Sequence, residues 1–162
     1  INYVVLRYFN AAGAGYGIGE KHDPETHLIP LVIQAALGQI DNIEVFGVDY
    51  DTNDGTCIRD YIHVLDLADA HSLALNYLNN KNESLSVNLG TSKGVSVREI
   101  IQLVKEVSKN NFNVVEGKRR KGDPAVLVGS NTMAKKLLNW SSSRGIVEII
   151  ESAWKWHKED GQ

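Results

Sequence analysis

Short β-branched and aromatic runs alternate with amphipathic helical stretches along the whole 162-residue chain, and this alternation narrows the fold more than any other feature. Residues 1–9 read as a buried strand. Further short strands are expected at 43–46, 57–63, 85–89, 113–116 and 125–128. Between them, 27–37 reads as a helix with Leu28, Leu31, Val32 and Ala35 on one face, Pro30 in its first turn and Gly38 as its stop. Asp66 is expected to cap a helix reaching about residue 78, with Leu67, Ala70 and Ala74 inward. Ser96-Val97-Arg98-Glu99 has the form of a capping box, opening a helix striped by Val97, Ile100, Ile101, Val104 and Val107. A modest helix around Met133 and a last one over 146–158 complete the pattern. The class is α/β. The first strand has no helix before it, as though cut from a larger sheet.

Composition sets the outer limits. At 43% hydrophobic and 23% charged residues, the chain is that of an ordinary globular domain, and its length is that of one domain. The lone cysteine, Cys57, excludes an internal disulfide and a cysteine-based zinc site. No apolar stretch approaches the roughly 18 residues of a membrane span. A net charge of −3 argues against nucleic acid as a partner. The chain opens Ile-Asn-Tyr-Val with no basic leader and no initiator methionine, so it reads as an internal or C-terminal piece of a longer protein.

Four segments carry candidate chemistry. The glycines Gly13, Gly15, Gly17 and Gly19 follow a strand, but Ile18 stands where the G-x-G-x-x-G fingerprint needs glycine, and a polar turn follows. A flexible surface loop is the better reading, and this chain alone should hold a nicotinamide cofactor poorly. Asn10 ends the first strand, where ligands of open α/β sheets gather; its amide could donate to a phosphate, although a turn-initiating Asn fits the spacing equally well. Strand alternation over 55–63 sets Arg59, Tyr61 and His63 on one side and Asp60 on the other. A half-buried Arg59 needs an anion, and a ligand phosphate is preferred here to a distant carboxylate. Lys118-Arg119-Arg120-Lys121-Gly122-Asp123-Pro124 is a charged turn in which an arginine could take phosphate oxygens and Asp123 could accept from ribose hydroxyls. His63 and Asp66 are expected to make local hydrogen bonds at a helix start rather than a catalytic pair. The histidines show no metal-ligand spacing, the three tryptophans read as packing rather than a binding platform, and Cys57 reads as a small buried hydrophobe.

The stretches R-Y-F-N (7–10), H-L-I-P (27–30), V-F-G (45–47), D-G-T-C-I-R-D-Y-I-H-V (54–64), D-L-A-D-A-H (66–71), N-L-G-T (88–91), R-x-G-D-P-A (120–125) and L-N-W (138–140) occur in this order across the chain. In that order they resemble the C-terminal half of the UDP-glucose 4-epimerase family, a group of extended short-chain dehydrogenase/reductases. The run at 54–64 is the most specific; R-Y-F-N is shared by many sugar-nucleotide enzymes.

The resemblance implies that residues 1–162 are the C-terminal sugar-nucleotide-binding portion, carrying the last part of a Rossmann-type sheet. The N-terminal NAD-binding Rossmann domain would then lie outside the chain. That half carries a G-x-x-G-x-x-G loop and a Tyr-x-x-x-Lys pair in the family. Neither is expected here, since no tyrosine has a lysine four positions on in a suitable helix. The chain by itself should therefore be inactive, with no catalytic residue of its own.

The same resemblance implies a set of contacts. Asn10 would contact the diphosphate, and Tyr8 and Phe9 would lie beside the nicotinamide of NAD. His27 and Leu28 would begin a helix over the sugar nucleotide; relatives have asparagine at His27. Glu44, Val45 and Phe46 would flank the uracil, partly through backbone groups. Arg59 and Arg120 would clamp the phosphates, Tyr61 would border the pocket, and Asp123 would hold the ribose. Leu127 would stand where the family controls room beside the hexose.

The implied reaction interconverts UDP-glucose and UDP-galactose through a 4-keto sugar with tightly bound NAD, in a cytoplasmic, homodimeric enzyme without membrane or nucleic-acid partners. Two other readings stay open. One is a related enzyme of the group, such as a UDP-N-acetylglucosamine 4-epimerase, a decarboxylase or a 4,6-dehydratase. The other is a non-catalytic sugar-nucleotide-binding module.

Overall fold

Helix starts and stops fall close to where local chemistry puts them. The computed structural model describes residues 1–160. Its strands are β1 (Val4–Tyr8), β2 (Asn10–Ala12), β3 (Asn42–Phe46), β4 (Ile58–Arg59), β5 (Tyr61–His63), β6 (Leu85–Leu89), β7 (Val95–Ser96), β8 (Asn113–Gly117) and β9 (Val126–Leu127). Its helices are α1 (Leu28–Ala36), α2 (Val64–Lys81), α3 (Val97–Ser108), α4 (Thr132–Leu138) and α5 (Ile146–Asp160).

The α3 capping box is complete: Ser96 Oγ accepts from the Glu99 N–H at 3.1 Å, and the Glu99 carboxylate accepts from the Ser96 N–H at 2.7 Å. The α1 prediction holds, with Gly38 at φ +72° just beyond its C-terminus. Its buried side is wider than the predicted stripe: Ile29, Pro30, Ile33 and Ala36 are buried, while Leu28 and Leu31 are only partly so.

The described strands form small sheets rather than one broad one. β1 pairs with β6, β2 with β5 and β3 with β8, each in parallel; β4 lies between antiparallel β7 and parallel β9. Parallel pairing requires crossover connections, and helices supply several of them. Two apolar clusters result. The larger packs α1, α3 and α5 against one another and against Ile43 and Val45 of β3. The smaller gathers Ile62, Leu67, Ala70, Val87, Leu89, Ala134, Leu138 and Trp140.

Three expectations need correction. The first strand is not buried: Val5 and Tyr8 are 41% and 47% exposed, because among the described residues β1 has a strand neighbour, β6, on one edge alone. Residues 57–63 do not form one strand but two, β4 and β5, in different sheets. Asp60 is the fully buried joint between them, its carboxylate accepting from the Thr91 N–H (3.0 Å), the Thr91 hydroxyl (2.6 Å) and the Gly129 N–H (2.9 Å). Asp66 does not cap α2. His63 does, its Nδ1 accepting from the Leu65 N–H at 3.1 Å, and Asp66 lies within the first helical turn.

Candidate functional site

The carboxyl ends of β1 and β2, the start of α1, the end of β3, strands β4 and β5 and the charged loop at 118–124 converge on one cleft of about 1230 Å³. That exceeds the usual range for small-molecule sites and leaves room for an elongated ligand. The cleft sits outside strand carboxyl ends, where ligands of parallel sheets collect.

Two guanidinium groups reach it from separate segments. Arg59, on β4, is only 14% exposed at its side chain and forms an ion pair with Asp123. The anion it has found is thus a carboxylate 64 positions away, not the preferred ligand phosphate; Asp123 is delivered by the turn that Gly122 makes at φ +82°. A phosphate entering here would share or replace that carboxylate. Arg120 stacks on the Phe46 ring, 3.9 Å from the centroid, with both residues on the cleft wall. Its neighbour Arg119 turns the other way, over the Tyr50 ring and onto Asp49.

Tyr61 is buried on the cleft floor, and that burial pushes its phenol up to about 12, against a smaller opposing pull from Arg59. It therefore stays a neutral hydrogen-bonding group across the physiological range. Cys57 also reaches the cleft, its Sγ 3.7 Å from Asp123 Oδ2.

Most other expected residues are at the cleft, some with altered commitments. Tyr8 and Phe9 line it; Phe9 packs against Gly129, where any Cβ would collide with its ring. Asn10 lines it too, but sits in β2 rather than in a turn, and its Nδ2 donates to the Asp60 carbonyl at 2.9 Å, which commits one of its two N–H donors to the protein. His27 and Leu28 stand at the start of α1 on the wall, and His27 caps the helix by backbone alone. Along β3, alternation sends Glu44 and Phe46 to the cleft and Val45, 1% exposed, into the core. Only the Val45 backbone could then meet a ligand. Leu127 is not on the wall: it is exposed on β9, opposite Arg59 in the strand register.

The glycine segment is neither a dinucleotide loop nor a loose surface loop. A Cβ on Gly15 would strike Leu65 and one on Gly19 would strike Trp156, while Ser152 Oγ accepts from the Ala14 N–H. The segment is thus pinned between α2 and α5. No helix begins behind it until Leu28, so it cannot cradle a pyrophosphate at a helix start. Tyr77 and Lys81 do have the Tyr-x-x-x-Lys spacing that the sequence reading set aside. They lie in the last turns of α2, where Tyr77 packs on the smaller core and neither residue reaches the cleft. His63 and Asp66 do not pair: His63 Nε2 meets Ser152 Oγ, and Asp66 binds Ser143 and Arg144.

One group at the rim escaped the sequence reading. Glu20, His22, Glu25 and His27 place their carboxylate oxygens and imidazole nitrogens within 4.8 Å of one another. The signal was the spacing E-x-H-x-x-E-x-H, which a search for helical His pairs at i, i+4 passes over. Among the described residues, no helix is long and apolar enough to cross a membrane.

Residues 1–90 match the family model of the NAD dependent epimerase/dehydratase family. The UDP-glucose 4-epimerase of Rhizobium meliloti (strain 1021) is 52% identical over 161 residues, 98% of this chain and 49% of the relative. A crystal structure of a UDP-glucose 4-epimerase superposes with a TM-score of 0.96 at 51% identity, covering 100% of this chain and 50% of that one. The Stenotrophomonas maltophila UDP-glucose-4-epimerase, solved with NAD and formylated UDP-arabinopyranose, gives a TM-score of 0.96 at 38% identity over 99% of this chain and 49% of that one. The chain therefore spans about half the length of the relatives it matches.

Proposed function

Because the chain belongs to the NAD dependent epimerase/dehydratase family, we propose that it is the sugar-nucleotide-binding, C-terminal half of a UDP-glucose 4-epimerase. The observation that carries this reading is the convergence of Arg59 and Arg120 on one cleft, with Asp123 and Phe46 beside them. Guanidinium groups match phosphate oxygens in geometry and charge, an aromatic face suits a pyrimidine, and a carboxylate suits ribose hydroxyls. The cleft is large enough for all three together with a hexose.

The chemistry needs this division of labour. Inverting a hexose at C4 through a keto sugar requires the ring to present both faces in turn without leaving. Binding energy spent on the non-reacting UDP portion can retain the molecule while its sugar stays loose. Arg59 and Arg120 supply that tether, Phe46 and Glu44 border the base, and Tyr61 and Leu28 close the walls. NAD, when bound, accepts and returns the C4 hydride. The pinned glycine segment offers it no phosphate cradle; Tyr8 and Phe9, on the cleft wall, are the residues of this chain we assign to its nicotinamide side. The proton-transferring tyrosine and the dinucleotide loop then belong to the other half of the intact enzyme, which we place in the cytoplasm as a homodimer.

Arg120→Ala in the intact enzyme tests the assignment, because Arg120 is at the cleft and its loss leaves no buried carboxylate unpaired. Losing charge-assisted phosphate contacts worth about 1.5–3 kcal/mol should weaken UDP-sugar binding by roughly ten- to a hundredfold. NAD binding, followed by calorimetry, should stay nearly constant. Equal losses for the two ligands would overturn the reading.

A further inference from the structure

We infer that Glu20, His22, Glu25 and His27 form a binding site for a divalent transition-metal ion of the zinc type, at the rim of the cleft. The four residues come from one eight-residue segment that ends at the N-terminus of α1, so closing them around an ion costs little chain entropy. Their ligand atoms already approach as a metal's first neighbours must. His22 Nδ1 is 2.7 Å from Glu20 Oε1, and His27 Nδ1 is 2.9 Å from both Glu20 Oε1 and Glu25 Oε1. Ligand atoms about 2.0–2.2 Å from a shared zinc would sit roughly 3–3.5 Å apart. The closest pairs need a small outward movement, and any pair nearer the 4.8 Å limit of the group a small inward one, to surround the ion.

Charge argues in the same direction. Two carboxylates are held close together, and the Glu25 side chain is 5% exposed. A cation placed between them would relieve their mutual repulsion. A divalent ion would offset both carboxylates and use the imidazole nitrogens that already face them. Glu25 is also fixed in direction, since its Oε1 accepts from the Thr26 and His27 N–H groups, each at 2.7 Å. Orienting bonds of this kind are what metal-ligating carboxylates use. Two imidazoles with two carboxylates and no thiolate suit zinc, nickel or cobalt(II); magnesium and calcium prefer all-oxygen sites. Because every donor precedes or begins α1, the ion would fasten the segment after the glycine loop to the helix that walls the cleft.

The test is a Zn²⁺ titration of the intact, chelator-treated protein against a chromophoric zinc indicator. One equivalent is expected to bind with a dissociation constant below about 0.1 mM. A hundredfold excess of Mg²⁺ should not displace it. His22→Ala and Glu20→Gln should each weaken it by about tenfold or more. His22 is 57% exposed at its side chain, so its truncation leaves the fold intact, and a circular dichroism spectrum verifies this. Cobalt(II) at the site should give visible absorption bands that vanish in the double variant. Failure to bind Zn²⁺ at 0.1 mM would overturn the proposal. So would binding that survives unchanged in the double variant, because the ion would then lie elsewhere. Neither result bears on Arg59 or Arg120.

Discussion

Asp66, 1% exposed, collects the Ser143 N–H at 3.0 Å, the Ser143 hydroxyl at 2.8 Å, the Arg144 N–H at 3.1 Å and the Arg144 guanidinium. It thereby ties the first turn of α2 to the segment entering α5. Burying a carboxylate is costly unless its acceptor capacity is filled, and here it is filled by four donors. Asp66→Ala strands Arg144, whose side chain is 25% exposed, with only Asp69 and Glu148 as outer partners. A loss of about 3 kcal/mol is expected in urea-unfolding free energy, with no change in the cleft. Asp60, at the joint of β4 and β5, is filled in the same way by Thr91 and Gly129. Both roles were invisible in the sequence because the donors to each carboxylate lie from 31 to 78 positions away. Gly90 is another such case: a Cβ there would run into the Gly129 carbonyl, a backbone contact that no flexible side chain can relieve.

His63 joins three elements. It ends β5, caps α2 through Nδ1, and meets Ser152 of α5 through Nε2 at 3.1 Å. Ser152 in turn accepts from the Ala14 N–H and so anchors the glycine segment. Burial, reinforced by the Arg144 charge, holds the imidazole below its ordinary 6.5, against smaller opposing pulls from Asp66 and Glu148. The folded chain therefore favours neutral His63, while the unfolded chain takes up a proton near 6.5. Stability from this group is complete above that value and drains away as pH falls below it toward the depressed folded value. His63→Asn keeps a capping acceptor and removes the titration. The denaturant midpoint of the parent should fall between about pH 7 and pH 5 more steeply than that of His63→Asn. Parallel curves for the two proteins would show that His63 contributes nothing to the acid sensitivity.

At the scale of the molecule, the short pairwise sheets leave edges open. β1 hydrogen-bonds β6 on one side, and Tyr3, Val5 and Tyr8 are exposed along it. An apolar strand with an unpaired edge is a template for a second chain. This chain on its own should self-associate with rising concentration, and Val5→Lys should suppress that association, as followed by light scattering. An unchanged association in Val5→Lys would place the sticky surface elsewhere. In the proposed enzyme the remaining half of the protein would cover this edge.

Element identity was legible because it is set locally. The Ser96–Glu99 capping box, the stripe Ile100-Ile101-Val104 and the Gly38 stop each act within a turn or two of the chain, and all appear where the residues put them. The motif order likewise pointed to a sugar-nucleotide cleft. What the residues alone did not decide was partnership. That Arg59 meets Asp123, that Arg120 turns to Phe46 while Arg119 turns away, that Val45 faces the core and Leu127 lies off the wall, and that two glutamates and two histidines gather at one rim all depend on where separate segments come to rest. Local preference fixes backbone shape over a few residues. Electrostatic pairing and burial are settled only when the helices and crossovers bring distant charges within a few ångströms, where a low-dielectric surrounding makes their contacts count.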